Sequence, residues 1–316
     1  MKKLLIIILI ATPAFSANLQ QQLEQMAAQF HGKVSLYAHQ LGTGATVSLD
    51  PDHPVATASV IKLPIMVETY AQVKAGKHNL NETLRLTKDN QVPGSGVLAF
   101  MNPGLDLTLH DTVVLMMTLS DNTATNMVID RIGIPAVNAR MAAMGLKITY
   151  LYKKVYKPAD GPMPADQKQF GLGKTTAREM AEVMESIQNC AAGGVTASKG
   201  PAVANGISDP QLCRQMVDIM RNQQYRNMIP HYLETVDTSE TPSAIADKIG
   251  ALDDVRNDVA LIETTSGPIV ISAFTYDIKD HTWIAENEAE LLIANMAKTI
   301  MQTWAPGGLK SSATAK

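Results

Sequence analysis

The alternation of apolar and polar positions predicts strands at both ends of the chain. Residues 33–39 and 45–49 alternate around a glycine-rich turn, a pattern typical of a β-hairpin. Three more strands are predicted near the C-terminus, at 243–251, 255–263 and 268–276. Two strands at one end and three at the other pair most simply into one antiparallel sheet.

The region between these strands is predicted to be helical. From Ser59 to the strand that contains Lys248, apolar residues recur at helical spacing, and Thr108 can cap one of the helices. Amphipathic helices at 18–30 and 286–303 flank the predicted sheet. The fold class is therefore α+β: an antiparallel sheet flanked by terminal helices, with an inserted all-helical domain.

These patterns divide the chain into parts. Lys2 and Lys3 precede an apolar run that is too short to span a membrane, and small residues follow at cleavage-site spacing, which predicts a signal peptide over 1–16. The protein is then expected to be secreted or periplasmic, without membrane association after signal removal. The remaining predicted parts are a discontinuous sheet domain at 17–55 and 225–305, a helical domain at 56–224 and a flexible tail at 306–316.

The composition is that of a soluble globular protein, with a formal net charge of −3 that does not suggest a nucleic-acid partner. Cys190 and Cys213 permit one disulfide, but the sequence leaves open whether the two sulfurs meet. The seven histidines show no ligand spacing, so neither a metal nor another cofactor is expected. We expect a monomer.

The segment ATASVIKLPIMVETY at 56–70 contains the first candidate chemistry. Ser59 and Lys62 are three residues apart, so on a helix their side chains share a face. A lysine amine can take the serine proton if burial lowers its pKa, and the apolar run at 63–67 would provide that burial. The alternative is a helix N-cap followed by a solvated lysine.

Two other motifs lie further along the chain. Ser120-Asp121-Asn122 joins two apolar helical runs, where the alternative role is a helix cap. Lys248-Ile249-Gly250 lies on a predicted strand, where an edge lysine ordinarily guards against aggregation. S-x-x-K, S-D-N and K-T-G occur in this order in class A β-lactamases and penicillin-binding proteins.

With these three motifs and this order of elements, the chain resembles the class A β-lactamase family. The resemblance implies that Ser59 is the acylated nucleophile, Lys62 its proton partner and Ser120 the proton shuttle to the leaving nitrogen. It also implies that Lys248 orients Ser120 and attracts the substrate carboxylate. The implied substrate-binding residues are Asn122, Gly250, Ala251 and Arg256, with the oxyanion between the backbone N–H groups of residues 59 and 251. Arg256 could equally be a solvated strand residue.

Two departures from the family pattern bear on activity. Ile249 replaces the hydroxyl residue that binds the substrate carboxylate, which removes one hydrogen bond to a charged group, worth about 1.5–3 kcal/mol. The segment 153–176 also lacks the glutamate that activates the deacylating water. Asp160 is a possible replacement base, and Asp166 lies nearby, although both can be ordinary loop residues.

These features leave three functions open. The first is a β-lactamase-like serine hydrolase that acts on β-lactam rings through a Ser59 acyl-enzyme, with slow deacylation. The second is a penicillin-binding D-alanyl-D-alanine peptidase that acts on peptidoglycan stem peptides. The third is a non-catalytic protein that binds a cell-wall ligand in the same cleft.

Overall fold

The computed structural model describes residues 13–194, 206–234 and 242–310, with side chains from residue 18 onward. A five-stranded antiparallel sheet of order β2-β1-β10-β9-β8 forms its centre. Its strands are β1 (Lys33–Gln40), β2 (Ala45–Leu49), β8 (Ile245–Leu252), β9 (Val255–Ile262) and β10 (Ile269–Tyr276). The predicted antiparallel sheet, built from both ends of the chain, is confirmed.

Both faces of this sheet are covered by helices. The terminal helices α1 (Pro13–Gln29) and α9 (Glu288–Trp304) pack on one face, and α7 (Ala177–Ala191) packs on the other. Because neither face meets solvent, every residue of β9 is buried. The predicted α+β class with terminal helices and a helical insertion is confirmed.

The inserted segment contains most of the remaining helices. They are α2 (Lys62–Lys74), α3 (Leu109–Thr118), α4 (Asn122–Ile132), α5 (Ile134–Ala143), α6 (Gln167–Phe170) and α8 (Pro210–Arg221). Thr108 caps α3 by accepting a hydrogen bond of 3.0 Å from the Asp111 backbone N–H, so the predicted cap is confirmed.

The prediction that the chain is almost entirely helical from Ser59 onward is wrong in four short places. These are β4 (Thr83–Arg85), β5 (Asp106–Thr108), β6 (Tyr150–Leu151) and β7 (Gly173–Thr175). With β3 (Val55–Ala56), which precedes Ser59, they form the small sheets β3-β7-β6 and β4-β5. Strands of two or three residues are too short to produce a detectable alternation.

The two cysteines form a disulfide, the point that the sequence left open. Cys190 on α7 and Cys213 on α8 are bonded, with Cα atoms 5.9 Å apart. The bridge fastens together two helices that also pack through apolar side chains.

The chain ends bear on the predicted signal peptide and tail. Helix α1 begins at Pro13, within the last part of the predicted signal peptide, and residues 1–12 lie outside the described part. Among the described helices, none is both long enough and apolar enough to cross a bilayer. Within the predicted tail, Leu309 pairs with Thr264 and the Lys310 N–H donates to Glu263 O, whereas 311–316 are not described.

Candidate active site

Ser59 lies in a 3-10 turn, Ala58–Ile61, that runs directly into α2. The turn is held in a strained form, because Ala58 has a φ of +45°. Pro64 falls in the first turn of α2, where its missing N–H leaves no helical bond unmade.

Lys62 is completely buried beside Ser59. Its Nζ lies 3.0 Å from Ser59 Oγ, 2.6 Å from Ser120 O and 3.0 Å from Asn122 Oδ1. Burial first, and then the neighbouring Lys248 ammonium, lower the pKa of Lys62 well below its usual range, while Asp121 acts in the opposite direction. A neutral amine can donate to the two acceptor-only oxygens and receive the Ser59 hydroxyl proton on its lone pair.

Ser120 lies between the two lysines. Its Oγ is 3.0 Å from Lys62 Nζ and 3.1 Å from Lys248 Nζ. Like Ala58, Ser120 has a positive φ, here +51°, a conformation that costs about 1–3 kcal/mol for a residue with a side chain. The surrounding structure maintains this conformation, in which the Ser120 hydroxyl lies between the two lysine amines.

Asp121, the middle residue of the Ser120-Asp121-Asn122 motif, binds the neighbouring loop that contains Gly96. Its Oδ1 caps α4 by accepting from Ala124 N, and its Oδ2 accepts from Val97 N and Leu98 N. The loop approaches so closely that a Cβ at Gly96 would lie 2.2 Å from Asp121 Cγ. The sequence left open whether the 120–122 motif caps a helix or takes part in the chemistry. Asp121 caps the helix, and Ser120 contacts the two lysines.

Strand β8 forms the opposite wall of the site. Lys248 is fully buried and also donates to Ile249 O at 2.8 Å. Gly250 packs directly on the turn of the nucleophile, since a Cβ there would lie 2.8 Å from Ser59 N. Ile249, Gly250 and Ala251 all line the cavity described next.

A cavity of about 1030 Å³ opens above Ser59. Of the predicted site residues, Ser59, Ser120, Asn122, Gly250 and Ala251 line it. Lys62 and Lys248 lie beneath this lining and reach it through Ser59 and Ser120. The structure thus brings together the four predicted catalytic residues and three of the four predicted substrate-binding residues.

Arg256 is the predicted substrate-binding residue that does not line the cavity. It is fully buried and is therefore not the solvated strand residue considered above. Its guanidinium donates to Glu290, to the backbone oxygens of Leu252 and Val255, and to Thr282 O. Four of its five N–H groups are thereby engaged within the protein.

The loop that follows β6 contains the predicted replacement base. Asp160 is exposed and does not line the cavity, and Asp166 binds Tyr152 Oη and Lys174 Nζ instead. The buried loop residue at the cavity is Val155, whose backbone N–H and C=O both bond to the Asn126 side chain, at 2.8 and 2.9 Å. Nothing in the sequence marked Val155, because an apolar residue has no chemical signature.

The pKa of Lys248 leads to a pH prediction. Burial lowers this pKa to about 8, although the nearby carboxylates of Asp247 and Asp258 raise it. We expect Ser59 acylation, measured by stopped-flow, to slow as the pH rises through about 8, because the amine beside Ser120 then loses its charge. Lys248→Arg should lack this alkaline decline, since a guanidinium stays charged. An identical decline in both proteins would contradict the assignment of this pH dependence to Lys248.

Comparison with known proteins gives a family match over most of the chain. The family described as "Beta-lactamase enzyme family" matches residues 18–304. A β-lactamase of Rhodobacter capsulatus is 22% identical over 277 residues, which cover 86% of this chain and 84% of that protein. A β-lactamase of Amycolatopsis lactamdurans is 28% identical over 149 residues, which cover 44% of this chain and only 45% of that protein.

Solved structures give the same result. The crystal structure of a β-lactamase from Sphaerobacter thermophilus has a TM-score of 0.71 and 27% identity, over 92% of this chain and 96% of that one. A point mutant of PBP-A, described as an acyl-enzyme complex with penicillin G, has a TM-score of 0.73 and 26% identity, over 90% and 96%. The predicted family resemblance is confirmed.

Proposed function

The chain belongs to the beta-lactamase enzyme family, and from this membership and the geometry at Ser59 we propose that it is a serine hydrolase acting on β-lactam rings. The observation that supports this most directly is the buried Lys62 amine, 3.0 Å from Ser59 Oγ and held by acceptor-only oxygens. A lysine with this environment is a competent base for a serine nucleophile.

In the acylation step, Ser59 Oγ attacks the lactam carbonyl while its proton passes to Lys62 Nζ. The carbonyl oxygen becomes an oxyanion, for which we assign the backbone N–H groups of Ser59 and Ala251. When the C–N bond breaks, the Ser120 hydroxyl donates its proton to the lactam nitrogen and is reprotonated from the neighbouring amines. The product is an ester on Ser59.

Deacylation is the slow step in this proposal. Hydrolysis of the ester needs a base that takes a proton from water, and the loop residues at the cavity, Lys153 to Tyr156, include no carboxylate. Asp160 is exposed on the same loop and lies outside the cavity lining. We therefore expect a long-lived acyl-enzyme with slow turnover.

The alternatives differ in the fate of Ser59. A peptidase acting on peptidoglycan stem peptides would also form a penicillin adduct, and a binding protein would form none. The point mutant of PBP-A described above has been solved as an acyl-enzyme with penicillin G, which supports acylation here. No feature of the described site favours a peptide over a β-lactam.

One experiment separates these functions. Purified protein is mixed with penicillin G, and the intact mass and the lactam absorbance are followed together. We expect an adduct to form rapidly and then decay with slow but complete multiple turnover, and Ser59→Ala to form none. An adduct that never decays would favour the peptidase, and the absence of both signals would favour the binding protein.

The secreted or periplasmic location is proposed from the sequence alone. The basic and apolar N-terminal residues support it. N-terminal sequencing of the protein recovered outside the cytoplasm should begin near Ala17, whereas recovery of the full chain in the cytoplasm would contradict it.

A further inference from the structure

The exposed apolar side chains of the described chain are concentrated at the cavity. Five of the eleven large apolar residues that are exposed line it. Three of these five lie near Arg256 at the end of β8: Leu252, Trp283 and Ile284, with Trp283 63% exposed. We call this set the β8 end of the cavity. Exposed apolar groups that gather in a concave site are typical of ligand binding.

This end of the cavity is where a leaving group would lie. Ser120, which protonates the leaving nitrogen in the proposed reaction, is hydrogen-bonded to Lys248 of β8. The segment beside Ser120 leads to the same end, since the Gln224 N–H donates to Thr118 O. Asn227, three residues further on, donates to Glu290, which is paired with the guanidinium on which Trp283 stacks. The acyl part of the substrate would instead face Asn122 and the loop that carries Val155, which belong to other walls.

The β8 end offers little to an anionic leaving group. The hydroxyl residue expected after Lys248 is replaced by Ile249, which lines the cavity and packs against the apolar core beneath the terminal helices, and which has no side-chain group able to bind a carboxylate. The Arg256 guanidinium is committed to Glu290 and to three backbone oxygens, and the Trp283 ring covers it at 4.5 Å.

Negative charges at this end act further against a carboxylate. Asp253, Asp254 and Glu290 all line the cavity there, and only Glu290 is paired with the Arg256 guanidinium. The stacking of Trp283 on that guanidinium fixes an aromatic face that borders the cavity. An apolar ring can pack on this face at no cost of charge desolvation, whereas a carboxylate would have to give up its bound water.

We propose that the β8 end of the cavity is a subsite for an uncharged, apolar leaving group, preferably aromatic, and that the enzyme does not depend on a carboxylate beside the scissile amide. This substrate class rests on the proposed acylation of Ser59. Trp283 is the specificity-determining residue, and Ile249 removes the preference for the carboxylate.

The first test compares benzylpenicillin with its carboxyl methyl ester as acylating agents of Ser59, by the second-order rate constant. We expect the ester to react within about threefold of the acid, because no hydrogen bond to the carboxylate is lost. Ile249→Thr should make the acid react at least about tenfold faster than the ester. An acid preference above about tenfold in the unmodified protein would overturn the proposal.

The second test uses two cephalosporins that differ only in a small or an aromatic substituent on the leaving-group side. Trp283→Ala should slow acylation by the aromatic compound about tenfold and leave the small one unchanged. Phe100→Ala is the matched control, since Phe100 is an aromatic residue that is 84% exposed and outside the cavity. Equal effects of Trp283→Ala on both compounds would overturn the proposal.

Binding to Ser59→Ala separates this proposal from the proposed function. In that variant, isothermal titration calorimetry gives the affinity for acid and ester without any acylation. The subsite is supported if the ester binds at least as tightly as the acid and if this binding is lost in Ser59→Ala/Trp283→Ala. This result would support the subsite even if the unmodified protein forms no adduct. Tighter acid binding that is insensitive to Trp283→Ala would overturn the subsite even if acylation occurs.

Discussion

Lys62→Met should slow the acylation of Ser59 by penicillin G about a thousandfold. The amine at 3.0 Å from Ser59 Oγ is the closest group able to take the hydroxyl proton, and methionine fills a similar volume without a basic atom. Stopped-flow measurement of adduct formation gives the rate.

The control for this prediction lies on the same helix. Lys74→Met replaces an exposed lysine at the other end of α2 and should leave acylation unchanged. Lys62→Met also leaves Ser120 O and Asn122 Oδ1 without their donor, so circular dichroism must show that the variant is folded. A folded Lys62→Met protein that acylates at the original rate would exclude Lys62 as the base.

Val155→Glu should accelerate deacylation about a hundredfold, by supplying the missing base. Val155 is the buried loop residue at the cavity, and its backbone N–H and C=O are both hydrogen-bonded to the Asn126 side chain. A glutamate there would extend from a backbone that Asn126 holds at the cavity wall. The decay of the penicillin adduct after removal of free penicillin measures the effect.

Val155→Gln is the matched control, because glutamine is the same size as glutamate but cannot accept a proton from water. It should decay as slowly as the unmodified protein. Asp160→Asn should likewise leave the decay unchanged, since Asp160 does not line the cavity. Equal decay of the glutamate and glutamine variants would show that position 155 does not reach the hydrolytic water.

The sequence predicted the parts of this protein that are encoded locally. Alternation located β1 and β2, and Thr108 identified the start of α3, because each depends on neighbours in the chain. The three motifs were recognisable for a similar reason: each places its polar groups within a few residues. The structure adds that their lysines share Ser120.

The parts that the sequence did not predict depend on distant contacts. Asp160 was chosen by its distance along the chain, whereas the loop is set by Asn126, 29 residues before Val155. Arg256 gave two equal alternatives, and the structure excludes the solvated one, because Glu290 and Trp283 from the C-terminal segment enclose the guanidinium. Such partners are selected by tertiary packing, which local patterns do not encode.

The most direct test of the account is to locate the penicillin adduct. The reaction is quenched with acid before the ester decays, the protein is digested, and the labelled peptide is sequenced by mass spectrometry. The account predicts a single adduct on Ser59, formed more slowly by Lys62→Met. An adduct on any other residue, or no adduct in a folded protein, would contradict it.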